Sequence, residues 1–292
     1  MPQCLTPFTL KKRNKFTGEW DVVPCGKCPV CVKKYASSWS FRLMQEDRIC
    51  DSAYFITLTY SDDNLISRCL SPLGLMTLRK DDFQKFMKRL RKRHSKHTGV
   101  KPIRYYAVGE YGSQRLRPHF HAIVFNAWQE DIEASWMLGY VHYGTVTGAS
   151  IGYTLKYMCK KSKPVGIAPG DDREPEFGLM SKKLGISYLD SVNRDYHLDD
   201  VYNRMFLTVE GGKKVTMPRY YKDKLFSDEN FPSIEDARSV RAGVAHITLK
   251  KQREDHLNML LQYDGDYYHE QSQSDLAKFR AMDRDATKND KL

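Results

Sequence analysis

A strand pattern that carries two histidines, RPHFHAIVF (residues 117–125), constrains the fold of this chain more than any other stretch. Side chains two apart on a β-strand project from the same face of a sheet, so His119 and His121 point the same way. The run IRYYAVGEYG (residues 103–112) precedes it, and the short polar segment between the two runs predicts an antiparallel hairpin. Glu110 ends one strand of this hairpin where the histidines open the other. We therefore expect these three side chains to converge at one end of a sheet.

The other patterns place this hairpin in an α+β domain. The run AYFITLTY (residues 53–60), rich in β-branched and aromatic residues, predicts a strand, and apolar residues at helical spacing predict a helix over residues 81–94. Further patterns predict helices over residues 32–46, 128–137 and 148–161, and a short strand over residues 139–144. The order β, α, β, β, α, β, α indicates an antiparallel sheet with helices on one or both faces.

Length and turn residues suggest how the chain is divided. A chain of 292 residues can hold one large domain or two small ones. We expect a cysteine-rich segment with a helix over residues 1–50 and the sheet domain over 51–165. Residues 166–292 are expected to form a linker, a Gly-Gly hairpin in FLTVEGGKKVTM (residues 206–217) and a smaller, mostly helical C-terminal region.

The charge of the chain favours a polyanionic partner. The formal net charge is +11, and Lys and Arg cluster in residues 11–15, 88–97 and 114–118, with aromatic residues between them that suit unpaired bases. No apolar run approaches the roughly 20 residues that cross a bilayer, and the N-terminus lacks the apolar core of a signal peptide. We expect an intracellular protein with no membrane partner. The sequence has no GxxxxGK[ST] loop, so no nucleotide cofactor is expected.

Four cysteines near the N-terminus indicate a metal rather than disulfides. Cys25, Cys28 and Cys31 lie in PCGKCPVC, and Cys4 lies upstream. A Cys-x-x-Cys turn brings two thiolates within reach of one tetrahedral ion, and Cys4 would be the fourth ligand. The alternatives are reduced thiols or a redox pair. We favour a structural Zn²⁺.

Glu110, His119 and His121 offer a different donor set. Two neutral imidazoles and one carboxylate, with further positions open, can hold a divalent ion together with a substrate oxygen. The carboxylate moves the preference toward Mg²⁺ or Mn²⁺. The alternatives are an exposed turn acid and ordinary half-exposed strand histidines.

A doubled Tyr-x-x-Lys in YTLKYMCKK (residues 153–161) is the third candidate element. Tyr153 and Tyr157 are four apart and so share one helical face, and each is followed three residues later by a lysine, Lys156 or Lys160. Core packing is the usual reason for such a tyrosine pair. The repeated lysine instead gives each phenol oxygen a nearby cation that can stabilise a phenolate or a phosphate.

FITLTY, RPHFHAIVF and YTLKYMCKK stand in the order of the three motifs of HUH endonucleases, the rolling-circle replication initiators, and the paired tyrosines resemble the two-tyrosine branch. The cysteine-rich start, the spacing from GEYG to RPHFH, FGLMSKKLGIS (residues 177–187) and PRYY (residues 218–221) resemble the initiators of gokushovirus-type microviruses. The resemblance covers about residues 1–226. It implies a ferredoxin/RRM-like core, an ion held by Glu110, His119 and His121, and Tyr153 and Tyr157 as nucleophiles.

The function that this resemblance implies is initiation of phage DNA replication in the cytoplasm of a bacterial host cell. The initiator would nick single-stranded DNA at the replication origin, leave a 5′-phosphotyrosine and a free 3′ hydroxyl, and later rejoin strands, with a host helicase and polymerase as partners. A single-strand transposase or a plasmid relaxase would share this chemistry. Two non-catalytic alternatives are a zinc-containing single-stranded DNA binding protein and an RNA-binding regulator.

Overall fold

The computed structural model describes residues 4, 6–16, 18–112, 114–146, 151, 169–227 and 229–262. The chain divides into two compact units, which we call the terminal unit (residues 1–38 with 188–292) and the sheet unit (residues 39–187). Within the described residues, none of the helices has the length and apolar character needed to cross a bilayer. The boundaries between functional segments that we expect at residues 50 and 165 are not tested by this division into compact units, and they stay predictions.

The described elements are nine strands and seven α-helices. The strands are β1 (Phe8–Arg13), β2 (Trp20–Val23), β3 (Ala53–Tyr60), β4 (Arg104–Tyr111), β5 (Pro118–Phe125), β6 (Gly139–Gly144), β7 (Phe177–Met180), β8 (Phe206–Thr208) and β9 (Lys214–Thr216). The helices are α1 (Pro29–Asp47), α2 (Asp62–Arg68), α3 (Lys80–His94), α4 (Gln129–Ser135), α5 (Ser191–Asp199), α6 (Arg219–Leu225) and α7 (Ile234–Gln262). The α+β class with an antiparallel sheet flanked by helices is confirmed.

The sheet unit is built on five antiparallel strands in the order β6-β3-β5-β4-β7. The predicted hairpin is β4 and β5, in which Glu110 lies directly opposite His119. β5 is therefore the central strand, while β6 and β7 form the two edges. This order places the histidine pair in the middle of the sheet.

Helices α3 and α4 cover one face of the sheet. Phe83 and Phe86 of α3 are fully buried, because the apolar residues of this helix recur at helical spacing, and its acidic first turn and basic last turn suit the helix dipole. They join one core with Phe120 of β5 and Trp136, which follows α4. The even-numbered residues of β5 face this core. The odd-numbered ones, including both histidines, face the other side.

The opposite face of the sheet is covered only in part by the described residues. Trp39 of α1 is buried and its ring lies 4.9 Å from that of Tyr106 on β4, on the histidine side of the sheet. Toward β6 the same face carries Tyr140 and His142, both exposed. In the described part of the chain, the histidine face is thus packed on its β4 side and exposed on its β6 side.

The terminal unit contains two short hairpins and the C-terminal helices. β8 and β9 pair antiparallel around Gly211 and Gly212, both with positive φ, so the predicted Gly-Gly hairpin is confirmed. The second hairpin, β1 with β2, was not expected from the sequence. α7 confirms a helical segment after Ser233. The helix predicted over residues 148–161 lies outside the described residues except for Ile151, which is helical and buried.

Candidate active site and cysteine cluster

Glu110, His119 and His121 come together on the histidine face of the sheet. Oε1 of Glu110 lies 2.9 Å from Nε2 of His119 and 3.1 Å from Nε2 of His121. One ligand atom from each residue lies within 4.8 Å of the others. Glu110 and His121 are buried, and His119 is half-buried. Three polar side chains thus converge at one point on the histidine face of the sheet.

The outer nitrogen of each histidine has its own partner. Nδ1 of His121 lies 2.9 Å from the hydroxyl oxygen of Thr57 on β3, and Nδ1 of His119 lies 3.1 Å from the carbonyl oxygen of Arg117. The ring of Phe55 stacks on His121 at 5.6 Å. Partners of this kind fix ring orientation in metal sites, so both Nε2 atoms are held toward the same point. The sequence did not single out Thr57, although the register of β3 against β5 places it opposite His121.

The electrostatics of the three groups favour an ionised carboxylate. Burial raises the pKa of Glu110, but the hydrogen bonds from His119 and His121 outweigh burial and hold this pKa below its usual value. Burial lowers the pKa of His119, but its hydrogen bond to Glu110 outweighs burial and raises this pKa overall. The cluster therefore holds a negative charge between two nitrogen donors.

Two imidazole nitrogens and one carboxylate oxygen suit a divalent cation. The donors lie close enough to share one ion, and mixed nitrogen and oxygen ligands with open positions are typical of catalytic rather than structural sites. On the neighbouring part of this face, Tyr140 and His142 are exposed and stand in register with Thr59 and Thr57. That the three residues bind an ion stays a prediction.

The remaining predicted catalytic residues cannot be placed. Tyr153, Lys156, Tyr157 and Lys160 lie outside the described residues, so their roles also stay predictions. The basic run over residues 88–97 falls largely on α3, which packs against the opposite face of the sheet from the histidines. Its charges therefore do not line the candidate site.

The four N-terminal cysteines form a second cluster, in the terminal unit. The sulfur atoms of Cys4, Cys25, Cys28 and Cys31 lie within 4.8 Å of one another. The backbone N–H of Cys25 donates to the sulfur of Cys4 at 3.2 Å, and that of Cys28 donates to the sulfur of Cys25 at 3.3 Å. Cys4 thus joins the three cysteines of the PCGKCPVC motif. The cluster has the ligand number and type of a tetrahedral zinc site.

The environments of these thiols differ. The side chain of Thr6 and the backbone N–H groups of Lys27 and Cys28 donate to Cys25 and lower the pKa of its thiol to about 5. Burial raises the pKa of Cys31 to about 12. The Cys25 thiol therefore ionises readily, whereas the buried Cys31 thiol would form a thiolate only beside a cation that stabilises the negative charge.

Comparisons with known proteins give the family of the chain. Residues 53–162 match the family model described as replication-associated protein ORF2/G2P. The chain is 30% identical over 256 residues to replication-associated protein ORF2 of Spiroplasma virus 4, an alignment that covers 78% of this chain and 76% of the viral protein. The chain belongs to the phage replication-associated protein family. The resemblance to replication initiators inferred from the motifs is confirmed.

Two further members of this family show similar identity. Replication-associated protein VP4 of Bdellovibrio phage phiMH2K is 28% identical over 242 residues, which cover 74% of this chain and 71% of the phage protein. Replication-associated protein ORF4 of Chlamydia phage 1 is 29% identical over 241 residues, which cover 71% of this chain and 55% of the phage protein. No solved structure matches the chain. The family model covers β3 through β6, and so includes Glu110, His119 and His121.

Proposed function

We propose that this protein initiates phage DNA replication by nicking single-stranded DNA at the replication origin and later rejoining strands, in rolling-circle replication. The observation that carries the proposal is the convergence of Glu110, His119 and His121 at one point of the sheet, within the segment that matches the family model. Phage DNA is copied inside the host cell, so the proposed site of action is the cytoplasm of a bacterium. A host helicase and polymerase are the proposed partners.

Glu110, His119 and His121 would hold Mg²⁺ or Mn²⁺. A divalent ion bound there supplies positive charge beside the scissile phosphate, which lowers the barrier to in-line attack. Thr57 and the Arg117 carbonyl keep the two rings oriented throughout, since their contacts are with the outer nitrogens. The exposed side chains of Tyr140 and His142 on β6 would line the path of the DNA strand beside the phosphate.

Tyr153 and Tyr157 are the proposed nucleophiles. The phenol oxygen of one tyrosine forms a bond to phosphorus, the bond from phosphorus to the 3′ oxygen breaks, and the phenol proton ends on the released 3′ hydroxyl. The product is a 5′-phosphotyrosine and a 3′ end that a polymerase can extend. The reverse reaction rejoins strands without ATP, because the phosphotyrosine keeps the energy of the phosphodiester bond. Lys156 and Lys160 would stabilise the phenolate or the phosphate.

The test of this function is formation of a covalent adduct. The full chain is incubated with end-labelled single-stranded DNA that spans the phage origin, with Mn²⁺ or EDTA, and the products are separated on a denaturing gel. We expect a metal-dependent, protease-sensitive adduct on the 5′ end of the downstream fragment. His121→Ala should abolish it, whereas His97→Ala should not, since His97 pairs with Asp131 at 2.9 Å on the surface, away from the histidine face.

Tyrosine variants complete this test. Tyr153→Phe and Tyr157→Phe should each impair a strand-transfer step, and the double variant should form no adduct, while Tyr202→Phe, an exposed tyrosine of the terminal unit, serves as the control. An adduct formed by the double variant would refute the proposed nucleophiles. Tight, salt-sensitive binding with no adduct, on a verified origin, would instead identify a non-catalytic DNA-binding protein.

Cys4, Cys25, Cys28 and Cys31 would hold a structural Zn²⁺. Four cysteine sulfurs within 4.8 Å and backbone N–H groups aimed at two of them support this assignment. Reconstitution with Co²⁺ should give the sulfur-to-metal charge-transfer absorption of a thiolate site. Cys28→Ser should remove that band and Cys50→Ser, which changes a half-buried cysteine outside the cluster, should keep it. Absence of the band in the unaltered chain would refute zinc binding here.

A further inference from the structure

The β1–β2 hairpin of the terminal unit presents an unusual surface. All six residues of β1 are exposed, and Trp20, the first residue of β2, is 49% exposed. A two-stranded hairpin cannot bury a core of its own, so it normally packs its larger side chains against another element. Here the largest one remains accessible. Phe8 and Leu10 of β1 are exposed as well, at 52% and 39%, and several exposed large apolar side chains on one small hairpin suggest a role in binding.

Trp20 lies next to a cation on the same face of this hairpin. Arg13 is its cross-strand partner, and the guanidinium carbon of Arg13 lies 5.6 Å from the centre of the indole ring. Thr9 and Val22 continue the same face. These four residues, together with Leu10, Gly18 and the acidic Glu19, line a shallow, open concavity of about 760 Å³. A flat aromatic ring beside a guanidinium is the arrangement on which unpaired bases stack.

Charge around the hairpin favours a polyanion. Residues 8–35 contain seven Lys or Arg and only two acidic residues, Glu19 and Asp21. Glu19, whose side chain is 60% exposed, lies 3.4 Å from His246, and Asp21 accepts hydrogen bonds from the Asn14 side chain at 3.0 and 3.2 Å. The hairpin itself, residues 8–23, holds four Lys or Arg and these two acids, a net charge of +2 (4 − 2), and Lys27, Lys33 and Lys34 add to it in the segment that follows.

Both ends of the hairpin are anchored. Near its turn, Lys15 pairs with Glu235 of α7 at 2.5 Å, in addition to the contact between Glu19 and His246. At its open end, the cysteine cluster connects the residues before β1 to those after β2. A platform fixed at both ends loses little conformational freedom when a ligand binds, which favours affinity.

We propose that the hairpin face formed by Arg13, Trp20 and Val22 binds single-stranded DNA, with a base stacked on Trp20 and phosphates neutralised by Lys11, Lys12 and Arg13. The choice of ligand rests on the proposed function, but this surface lies in the terminal unit and uses none of the candidate catalytic residues. The protein then holds its substrate at a second place besides the site that would cut it.

The test measures equilibrium binding of a fluorescein-labelled oligothymidylate to the full chain by anisotropy. The Tyr153→Phe, Tyr157→Phe double variant is the background, so that no covalent adduct forms. Trp20→Ala should weaken binding about tenfold, the order expected for loss of one base stack. Trp20→Phe, which keeps an aromatic platform, should restore most of the affinity and shows that the loss does not come from misfolding.

Two matched controls separate this surface from general effects. Trp128 is 51% exposed in the sheet unit, so Trp128→Ala removes an equally accessible indole and should leave affinity unchanged. The charge test compares Lys11→Ser, Lys12→Ser with Lys213→Ser, Lys214→Ser on the other hairpin of the same unit. The first pair should reduce the slope of log affinity against log salt by about 1.4, and the second pair should not.

Three results would overturn the proposal. The first is that Trp20→Ala binds the oligothymidylate as tightly as the background protein does. The second is that Trp128→Ala loses as much affinity for it as Trp20→Ala does. The third is an equal effect of Trp20→Ala on a duplex, since a duplex hides the faces of its bases. Adduct formation by the chain with its tyrosines intact is scored separately. If Trp20→Ala binds DNA normally and the chain forms the adduct, only the inference about the hairpin is refuted. If Trp20→Ala weakens binding but the chain forms no adduct, only the nicking function is refuted.

Discussion

Thr57 shows how a single hydroxyl can set the chemistry of the candidate site. Its oxygen lies 2.9 Å from Nδ1 of His121, and this contact leaves Nε2 as the nitrogen that faces Glu110. Thr59, two residues along the same strand, also projects onto the histidine face but contacts the carbonyl oxygen of Tyr140 at 3.4 Å. The two threonines differ in one relevant respect. Only Thr57 touches a candidate ligand of the ion.

We predict that Thr57→Val weakens Mn²⁺ binding at this site about tenfold, because loss of a partner behind a ligating histidine typically costs 10- to 100-fold in affinity. Isothermal titration with Mn²⁺ measures the effect directly. Adduct formation by Thr57→Val should recover at high Mn²⁺ concentration. Thr59→Val should bind Mn²⁺ as the unaltered chain does, and equal losses in both variants would contradict a specific role for Thr57.

His197 of the terminal unit is a buried histidine with a different role. Nδ1 lies 2.6 Å from the carbonyl oxygen of Arg204, so it donates, and Nε2 lies 2.9 Å from the hydroxyl oxygen of Tyr188, so it accepts. Both nitrogens are satisfied in the neutral ring. Burial lowers the pKa of His197, because the charged imidazolium is poorly solvated there. A proton on Nε2 would also reverse the bond with Tyr188, whose hydroxyl oxygen would then have to accept.

The low pKa of His197 predicts that this unit loses stability in mild acid. Its pKa is lower in the folded than in the unfolded chain, so the unfolded state binds more protons as the pH falls below about 6.5. One proton changes the free energy of unfolding by at most about 1.4 kcal/mol per pH unit. Denaturant unfolding at pH 7.5 and at pH 5.5, ~one unit on each side of the ordinary histidine pKa, should show that the free energy of unfolding falls in acid. His197→Gln should make this fall smaller. An unchanged slope in this variant would assign the effect to other groups.

At the scale of the element, β6 carries the open side of the candidate site. Tyr140 is 64% exposed and stands in register with Thr59, which stands in register with His119. Two strand spacings separate Tyr140 from His119, or about 10 Å along the sheet. If a DNA phosphate binds at the candidate site, as proposed, an aromatic ring at this distance can stack a nearby base.

Tyr140→Ala should therefore weaken binding of origin single-stranded DNA about tenfold, the cost of one lost stack. Anisotropy with a short oligonucleotide that spans the nick site measures this loss, and Tyr140→Phe should restore the affinity. Tyr202→Ala, which removes a 48% exposed tyrosine of the terminal unit, is the control. If Tyr140→Ala binds as well as this control, the open face does not contact the bases.

Long periodic patterns made much of the sheet unit predictable. Strands β3 to β6 and helices α1, α3 and α4 lie where alternation or helical spacing indicated them. The meeting of Glu110 with His119 was also expected, because a short hairpin fixes which residues stand opposite. Thr57 was not expected as a partner of His121, because the pairing of β3 with β5 joins residues far apart in the chain.

The missed strands have little pattern of their own. β1 is FTLKKR, exposed throughout, and no buried face imposes an alternation on it. β7 has only four residues, Phe177–Met180, and becomes a strand by pairing with β4. β1 is held by its pairing with β2 and β7 by its pairing with β4, so the residues of each strand alone could not predict it. Arg204 and Tyr188 as partners of His197 are likewise set by the fold.

At the scale of the whole molecule, the two candidate metal sites lie in different compact units. The cysteine cluster belongs to the terminal unit, and the Glu110 site belongs to the sheet unit, which has its own core of buried aromatic and aliphatic residues. Zinc stabilises only what folds around it. Its removal should therefore act on one unit and spare the other.

Hydrogen exchange after removal of zinc with a strong chelator tests this separation. We predict that amides of β1 and β2 exchange at least about tenfold faster, as expected when a closed structural site opens. Amides of β3, β4 and β5 should keep their protection. The Cys28→Ser variant should reproduce the pattern without any chelator. Loss of protection in the central strands would mean that the two units unfold together.

The strand order has a mechanical consequence for the segment that contains the tyrosines. Residues 145–176 leave the sheet from the edge strand β6 and return to it at the opposite edge strand β7, with the histidine strand midway between. Across the sheet these two edges are four strand spacings apart, or about 19 Å. If Tyr153 or Tyr157 carries a DNA strand, as proposed, then a pull on that strand reaches the sheet at both edges, because the chain is continuous from β6 to β7. The load would therefore be shared by the two outermost strands of the sheet that holds the histidines.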